Sequence, residues 1–335
     1  MTDPRPQLDE GFVLADKPGG LGSAALVGRL KYELKQRAGR APGQRQIRVG
    51  HTGTLDRFAS GLVLLLTGRA TALADQFLHA DKGYLARFQF GAFTDTHDCQ
   101  GEITESVPFA DVRRFLTTEH DRIARAILAI REHNRQQPPQ YSALKQAGQR
   151  FSDRARAGET VLPAERAIQV YDVRIVDSDA EAGAIDVDLH VSGGTYIRAF
   201  ARDLSRELDF PIHLSALRRY RLGQHVIDLH PNPTTVRADL WCPEFTEEPG
   251  ARPVGGTGTA APVVRDVREA LPDWPRLAVS GAAVADVLSG RFPDPGPLPG
   301  PAGADFFIES GETGALLAWA RVSGPGIYKY MRVFG

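Results

Sequence analysis

The chain has 335 residues, of which 42% are hydrophobic and 24% charged, and its formal net charge at pH 7 is −1. These proportions are those of an ordinary globular protein, and the length favours one large domain plus a smaller one. No apolar run approaches the ~20 residues of a membrane helix, and the first residues lack the apolar core of a signal peptide. The two cysteines, Cys99 and Cys242, lie far apart and outside any metal-ligand spacing, which argues against a disulfide framework or a zinc site. We therefore expect a cytoplasmic protein that holds no metal.

Apolar alternation and short apolar runs predict strands, whereas apolar residues three or four positions apart predict helices. The predicted strands are residues 12–15, 62–66, 84–90, 170–176 and 185–191. The predicted helices are residues 23–37, 70–80, 111–128, 140–158 and 196–208. We expect Ser23 to cap the first helix and the unusually polar segment 140–158 to protrude from the body of the protein.

The predicted strands and helices follow one another without a regular βαβ pattern, which favours an α+β architecture. The composition changes near residue 244, because residues 244–265 are rich in Gly, Pro, Thr and Glu and predict a linker. We therefore expect a main domain over residues 1–243 and a small, strand-rich C-terminal domain over residues 266–335.

Basic residues cluster in two segments although the net charge is close to zero. The first segment, residues 29–57, holds eight Lys or Arg residues against two acids. The second segment, residues 122–156, is also rich in Lys and Arg. Two basic stripes suit a surface that follows the phosphates of a nucleic acid. Solvated helix faces explain the same charges equally well.

A glycine-rich loop, residues 50–61, is the sharpest local signal. Its sequence is Gly-His-Thr-Gly-Thr-Leu-Asp-Arg-Phe-Ala-Ser-Gly, and its carboxylate is Asp56. Glycines let a ligand approach the backbone closely, so the loop fits an active site that presents Asp56 as a nucleophile or base. A turn in which Asp56 only caps a backbone amide fits the same residues. The loop lacks the Gly-Lys-Ser/Thr ending of a phosphate-binding P-loop.

Several motifs resemble those of one enzyme family. Residues 50–56, followed by Ala-Ser-Gly at 59–61, resemble the signature loop of the TruB and dyskerin family of pseudouridine synthases. Further motifs of that family are matched in the same order by residues 16–20, 81–84, 91–98, 139–145, 192–198 and 217–219. The matches together cover about residues 11–222, which makes the resemblance specific.

The resemblance implies a fold, a reaction and a set of site residues. The implied fold is that of pseudouridine synthases, a central mixed, largely antiparallel β-sheet flanked by helices. The implied reaction is the isomerisation of uridine 55 in the T loop of tRNA, by base flipping and without a cofactor. The implied catalytic residues are Asp56, Tyr84, Tyr196 and Arg198. The implied substrate-binding residues are His51, Leu217, Lys17, Lys145 and Arg150.

The same resemblance gives roles to these residues. Arg198 would pair with Asp56, Tyr84 would stack on the target uracil, and Tyr196 would close the pocket or handle a proton. Leu217 would form an apolar wall of the pocket. His51 would fill the space that the flipped nucleotide leaves in the RNA. The two basic segments would then contact the phosphates of an RNA stem-loop.

The sequence also departs from the family pattern. Arg57 stands where many members have proline, Gly22 replaces a usual threonine, and Ala72 replaces a lysine. Residues 36–47 read as an insertion. Residues 266–335 match only weakly, in the manner of a degenerate PUA-like RNA-binding domain.

Three functions fit the motifs. The favoured one is a stand-alone, monomeric enzyme that acts on the T-arm stem-loop of tRNA and needs no protein partner, because residues 141–156 resemble the family's tRNA-gripping insertion. A guide-RNA-dependent subunit of the dyskerin type would use the same chemistry. A non-catalytic RNA-binding or RNA-folding protein would keep the scaffold alone, and the intact catalytic set argues against it.

Overall fold

The structure, a computed structural model, describes residues 10–39, 47–141, 145–146, 149–151, 163–228, 237–243, 258–259, 261–293 and 296–334. The strands of the first half are β1 (Gly11–Lys17), β2 (Val49–His51), β3 (Ser60–Thr67), β4 (Lys82–Phe90), β5 (Ala92–Thr94), β6 (Ile103–Ser106), β7 (Arg135–Gln136), β8 (Lys145–Gln146), β9 (Gln149–Arg150) and β10 (Arg166–Ala167). Those of the second half are β11 (Val170–Asp179), β12 (Ala184–Val191), β13 (Ile212–Leu222), β14 (His225–Val226), β15 (Arg237–Trp241), β16 (Gly258–Thr259), β17 (Arg276–Val279), β18 (Asp305–Ser310), β19 (Leu316–Gly324) and β20 (Ile327–Val333).

Helices lie between and over these strands. The α-helices are α1 (Ser23–Arg37), α2 (Ala74–Leu78), α3 (Phe109–Thr118), α4 (His120–Ala129), α5 (Ile197–Leu208) and α6 (Ala282–Leu288). Short 3₁₀ turns cover Gly68–Leu73, Ile130–Glu132 and Val267–Ala270. Within the described ranges, no helix is long and apolar enough to cross a membrane.

The main sheet has the strand order β11-β12-β4-β13-β3-β1-β15-β16. Antiparallel pairs join β11 to β12, β12 to β4, β4 to β13 and β3 to β1, whereas β13 pairs with β3, and β1 with β15, in parallel. This is the mixed, largely antiparallel sheet flanked by helices that the resemblance implied, so the predicted fold class is confirmed. The order also places β13 between β3 and β4, although both of those strands precede it by more than a hundred residues.

Alternation along the strands gives the main sheet two apolar faces. On β1, Val13 and Ala15 join a core under α1, α4 and α5, whereas Phe12 and Leu14 face the opposite side. Helix α5 presents Phe200, Leu204 and Leu208 to the first core at the spacing of one helical face. Full burial of each such side chain stabilises the fold by roughly 1.5–3 kcal/mol.

The second face of the main sheet is covered by the C-terminal sheet, whose order is β17-β18-β19-β20. Phe307 and Trp319 of this sheet, together with Phe334, are buried in one cluster with Phe12 and Leu14 of β1. The chain that enters the C-terminal sheet is also tied to β1, since the backbones of Phe12 and Arg265 exchange two hydrogen bonds of 2.8 and 2.9 Å. The assignment of residues 266–335 to a separate, PUA-like domain stays a prediction.

The strand β13 was not predicted from the sequence, because its second half reads as a polar run, Arg218-Arg219-Tyr220-Arg221. The structure buries two of these arginines. Arg218 donates to both carboxylate oxygens of buried Asp16 at 2.8 and 3.0 Å, and Arg219 donates through Nε to the carbonyl of Leu62 at 2.7 Å. Buried charges persist when they are paired and hydrogen-bonded, so a polar sequence forms a central strand here.

Two helix predictions need correction. The predicted helix 111–128 is two helices that meet at Glu119, because Thr117 and Thr118 turn their hydroxyls back to carbonyls of the preceding turn. The predicted helix 140–158 is wrong at 145–146 and 149–150, which form the antiparallel strands β8 and β9. Residues 142–144, 147–148 and 152–158 of the same segment lie outside the described residues, so its protrusion stays a prediction.

Candidate active site

The loop between β2 and β3 carries Asp56 and is held by the N-terminal part of the chain. The hydroxyl of Ser23 donates to the carbonyl of Leu55 at 2.8 Å and accepts from its amide at 3.1 Å. Ser23 is therefore not the predicted helix cap. Gly22 occupies that position without a side-chain bond, and the Ser23 hydroxyl instead fixes the residue before Asp56.

Lys17 holds the other side of the same loop. Its ammonium donates to the carbonyls of Leu21 at 2.7 Å and Arg57 at 3.3 Å, and also to those of Pro18 and Ala59. The side chain is fully buried, and this burial lowers the pKa of Lys17 to about 8. In the structure these donors contact the protein backbone, so Lys17 clamps the loop. Its role in substrate binding stays a prediction.

Asp56 is paired with Arg198, which stands in the first turn of α5. Nε of Arg198 donates to Oδ2 of Asp56 at 2.9 Å, and Nη2 donates to Oδ1 at 3.1 Å. Further bonds from Arg198 reach the carbonyls of Thr96 at 3.1 Å and Tyr141 at 2.9 Å. Arg198 is buried, whereas the Asp56 side chain is 34% exposed. A two-pronged bond of this kind fixes both the position and the orientation of a carboxylate.

A second carboxylate, Asp98, stands behind this pair and was missed as a site residue. Its Oδ2 lies 3.5 Å from Nε of Arg198, while Oδ1 accepts from the hydroxyl of Thr96 at 2.8 Å and the amide of Gln100 at 2.9 Å. Arg198 therefore lies between two carboxylates, one buried and one facing the cavity. The signal in the sequence was the match over residues 91–98, which ends on Asp98.

Five of the predicted site residues line one cavity with a volume of about 640 Å³. They are Asp56, Tyr84, Tyr196, Arg198 and Leu217. Four separate parts of the chain supply them: the loop before β3, then β4, the start of α5, and β13. The predicted catalytic set is therefore brought together by the fold, with Leu217 as an apolar part of the wall.

The two tyrosines of the cavity are held differently. Tyr84 is a buried residue of β4, and burial raises the pKa of its hydroxyl. Tyr196 is fixed through its backbone, because the Gln136 side chain accepts from its amide at 2.9 Å and donates to its carbonyl at 3.1 Å. Gln136 is itself buried, so the strand β7 positions the residue that precedes α5.

Two cations of the cavity wall were also missed. Arg219 lies across from Tyr84 in the β13–β4 pairing and is buried. Lys82 donates to the carbonyls of Ala80 at 2.6 Å and Leu78 at 3.1 Å. Burial, and then the nearby Arg219, lowers the pKa of Lys82 to about 8. Both residues lay inside recognised motifs, 81–84 and 217–219, so the motifs contained the signal.

His51 is not among the described residues that line this cavity. His51 is on β2, and its Nδ1 accepts from the amide of Gly53 at 3.3 Å. Lys145 and Arg150 face each other in the register of the β8–β9 hairpin, and their side chains lie outside the described part of the structure. The RNA-binding roles of these three residues stay predictions.

Comparison with known proteins gives consistent matches. The model of the TruB family pseudouridylate synthases (N-terminal domain) matches residues 40–197. A protein of Leptospira interrogans named tRNA pseudouridine synthase B is 31% identical over 338 residues, which is 100% of this chain and 97% of that protein. A protein of the same name from Cupriavidus metallidurans is 38% identical over 218 residues, covering 65% of this chain and 64% of that protein.

Similarity of fold extends to a solved complex. A chain in the crystal structure of a Cbf5-Nop10-Gar1 complex superposes with a TM-score of 0.61 at 20% identity, covering 100% of this chain and 91% of that one. At this identity the match concerns the fold alone.

Proposed function

The chain belongs to the TruB family of pseudouridine synthases, and from this membership we propose that it isomerises uridine 55 in the T loop of tRNA to pseudouridine, with Asp56 as the catalytic carboxylate. The observation that carries the proposal is the bidentate Asp56–Arg198 pair at the wall of a cavity that also contains Tyr84 and Leu217. The relatives named tRNA pseudouridine synthase B support tRNA as the substrate.

The reaction breaks the bond between ribose C1′ and uracil N1, turns the base, and joins C1′ to C5. The proton that C5 loses is balanced by one that N1 gains, so the product is an isomer of the substrate. An ionised carboxylate at the sugar is needed for this exchange. The two hydrogen bonds from the guanidinium of Arg198 fix the orientation of the Asp56 carboxylate. The partial exposure of Asp56 leaves this carboxylate accessible to a sugar that enters the cavity.

The detached uracil must stay in place while it turns. A uridine in folded RNA reaches an enclosed site only by flipping out of its stack. Tyr84 offers an aromatic face and Leu217 an apolar surface in the same cavity, so we place the flipped base between them. Tyr196, whose backbone is held by Gln136, closes the side of the cavity next to Arg198.

The catalytic role is tested with Asp56→Asn, which keeps the size of the side chain but removes its charge. We expect pseudouridine formation on an unmodified tRNA transcript to fall by roughly 10²–10⁴-fold or more, the range of catalytic acid–base groups. Binding of the same tRNA should stay within a few fold of wild type. Asp75→Asn, on the exposed surface of α2, is the matched control and should retain full activity.

The assay uses purified protein and tRNA alone, and product is located by mapping pseudouridine along the transcript. Product at the T-loop uridine without added guide RNA or protein supports a stand-alone enzyme that needs no protein partner. No product at that position would contradict the proposed substrate, and a wild-type rate for Asp56→Asn would contradict the proposed mechanism.

A further inference from the structure

Arg57 follows Asp56 directly and its side chain is exposed yet fixed at one point. Its Nε donates to the carbonyl of Gly20 at 2.7 Å. Its own carbonyl accepts from the amide of Gly20 at 2.8 Å and from Lys17. No carboxylate among the described residues pairs with this guanidinium, so both Nη groups are available to an external acceptor.

Arg166 is a second arginine of this kind, and it lines the same cavity as Asp56. It lies opposite Gln136 in the β10–β7 pairing, and Gln136 holds the backbone of Tyr196. The neighbouring acid, Glu165, is already paired with Arg135 at 3.2 Å. In the described part of the chain, no acid pairs with Arg166 itself.

The turn beside Arg166 leaves room for its guanidinium. Gly194 has a φ of +84°, and a Cβ placed on it would lie 3.4 Å from Nη1 of Arg166. The guanidinium therefore lies against bare backbone at this side of the cavity. A side chain at position 194 would be strained by its φ and would narrow the approach to Arg166.

The cations that line the cavity besides Arg166 are not available in this way. Arg198 is used by Asp56, Lys82 donates to two carbonyls, and Arg219 is 1% exposed. Arg57 and Arg166 thus differ from them in being accessible and unpaired within the described residues.

We propose that Arg57 and Arg166 bind the two backbone phosphates that flank the uridine entering the cavity. The inference rests on the proposed function. A flipped uridine is uncharged, and its nearest anions are the phosphates on either side, which stay at the edge of the cavity because the RNA chain must enter and leave there. A guanidinium matches the geometry of a phosphate with two parallel hydrogen bonds. Such contacts offset the few kcal/mol that unstacking the base costs.

The test pairs each arginine with one phosphate. The proteins are wild type, Arg57→Gln, Arg166→Gln and, as a matched control, Arg114→Gln, an exposed arginine of α3. The RNAs are a T-arm stem-loop and two versions in which one flanking linkage is a neutral methylphosphonate. Dissociation constants are measured at several salt concentrations.

Each of the two substitutions is expected to reduce the slope of log affinity against log salt by roughly 0.7–0.9, the value of one lost phosphate contact. Each variant should also become insensitive to one of the two neutral linkages while still responding to the other. Arg57→Lys keeps the charge and should retain the wild-type slope, although it loses the bond to Gly20. Arg114→Gln should behave as wild type.

Unchanged salt slopes, or equal sensitivity of every variant to both neutral linkages, would overturn the proposal. The pairing of each arginine with one phosphate is measured from dissociation constants and is therefore independent of catalysis. Pseudouridine formation by the wild-type protein on the unmodified stem-loop is measured alongside it. If the rate is normal but neither arginine variant loses its sensitivity to a neutral linkage, only the phosphate contacts are contradicted. If no product forms, the proposed function is contradicted.

Discussion

At the scale of single residues, buried ammonium groups support the cavity from within the protein. Lys17 donates to carbonyls on both sides of the Asp56 loop, and Lys82 donates to carbonyls before β4. The ammonium groups of Lys17 and Lys82 satisfy backbone carbonyls that would otherwise be buried without partners. Leaving such carbonyls unpaired would lower the free energy of unfolding. The cost on the lysine side is a charge removed from water, and burial lowers the pKa of each to about 8.

This loss of basicity predicts a pH dependence of stability that Lys82→Met should remove. The folded-state pKa of Lys82 is about 8, against a usual value of 10.5, so the unfolded chain binds more protons between these values. The contribution of Lys82 to the free energy of unfolding is therefore largest above pH 10.5 and is lost as the pH falls to 8. The gradient is at most about 1.4 kcal/mol per pH unit.

Urea denaturation of wild type and Lys82→Met from pH 7 to 10.5 checks this dependence. The difference in unfolding free energy should be constant below pH 8 and should then change in favour of the wild type. A difference that does not vary with pH would contradict the lowered pKa of Lys82. Subtracting the variant cancels the other groups that titrate in the same range.

At the scale of elements, the parallel contact between β3 and β13 holds the cavity wall together. Gly61 lies opposite Arg219 in this pairing and has a φ of +110°. A Cβ at position 61 would lie 2.2 Å from the carbonyl oxygen of Arg219. Only glycine therefore lets the two strands approach closely enough to place Leu217 and Arg219 in the cavity wall.

Gly61→Ala should separate these strands. We expect a loss of about 1–3 kcal/mol or more in the free energy of unfolding, from overpacking, together with lower pseudouridine formation. Gly28→Ala is the matched control, because Gly28 is exposed in the middle of α1 with no atom near its missing Cβ. That change should stabilise the protein by roughly 0.5–1 kcal/mol. Equal effects of the two substitutions on activity would contradict the role of Gly61.

Some strands could be predicted from the sequence and others could not. Strands with clear alternation, such as β4 and β12, were predicted within a few residues because each side chain's burial follows from its position in the pleat. The central strand β13 was not, since one of its arginines, Arg218, is paired in the fold with Asp16, about two hundred residues earlier. The motifs pointed to Asp56, Tyr84 and Arg198 through residues close in sequence. The hydrogen bonds of Lys17 join carbonyls from two parts of the chain, so this clamp was visible only in the structure.

At the scale of the whole molecule, the C-terminal sheet is part of the same apolar core as the main sheet. Successive residues of β18 face opposite ways. Phe307 packs with Phe12 of β1, whereas Phe306 packs with Val287 of α6 inside the C-terminal sheet. The core between the two sheets therefore lies on the face of the main sheet opposite the core that holds Tyr84 and Leu217 of the cavity.

The two phenylalanines give a matched pair of variants. Phe307→Ala and Phe306→Ala should each cost about 3–5 kcal/mol of unfolding free energy, as large-to-small core changes do. Only Phe307→Ala should raise amide hydrogen exchange in β1 and β3, since only this side chain supports the main sheet. Increased exchange of β1 in both variants, or in neither, would contradict the shared core.

The position of β13 also sets an order of events during synthesis. β3 and β4 are complete by residue 90, but the strand that separates them ends at residue 222. A nascent chain therefore carries the edges of β3 and β4 that face β13 unpaired on the ribosome while about 120 further residues are added. Exposed edges of this kind are where incomplete chains aggregate or recruit chaperones. The cavity gains its last wall only when β13 enters between its neighbours, so a chain interrupted before that point has Asp56 but lacks the wall that Leu217 and Arg219 form.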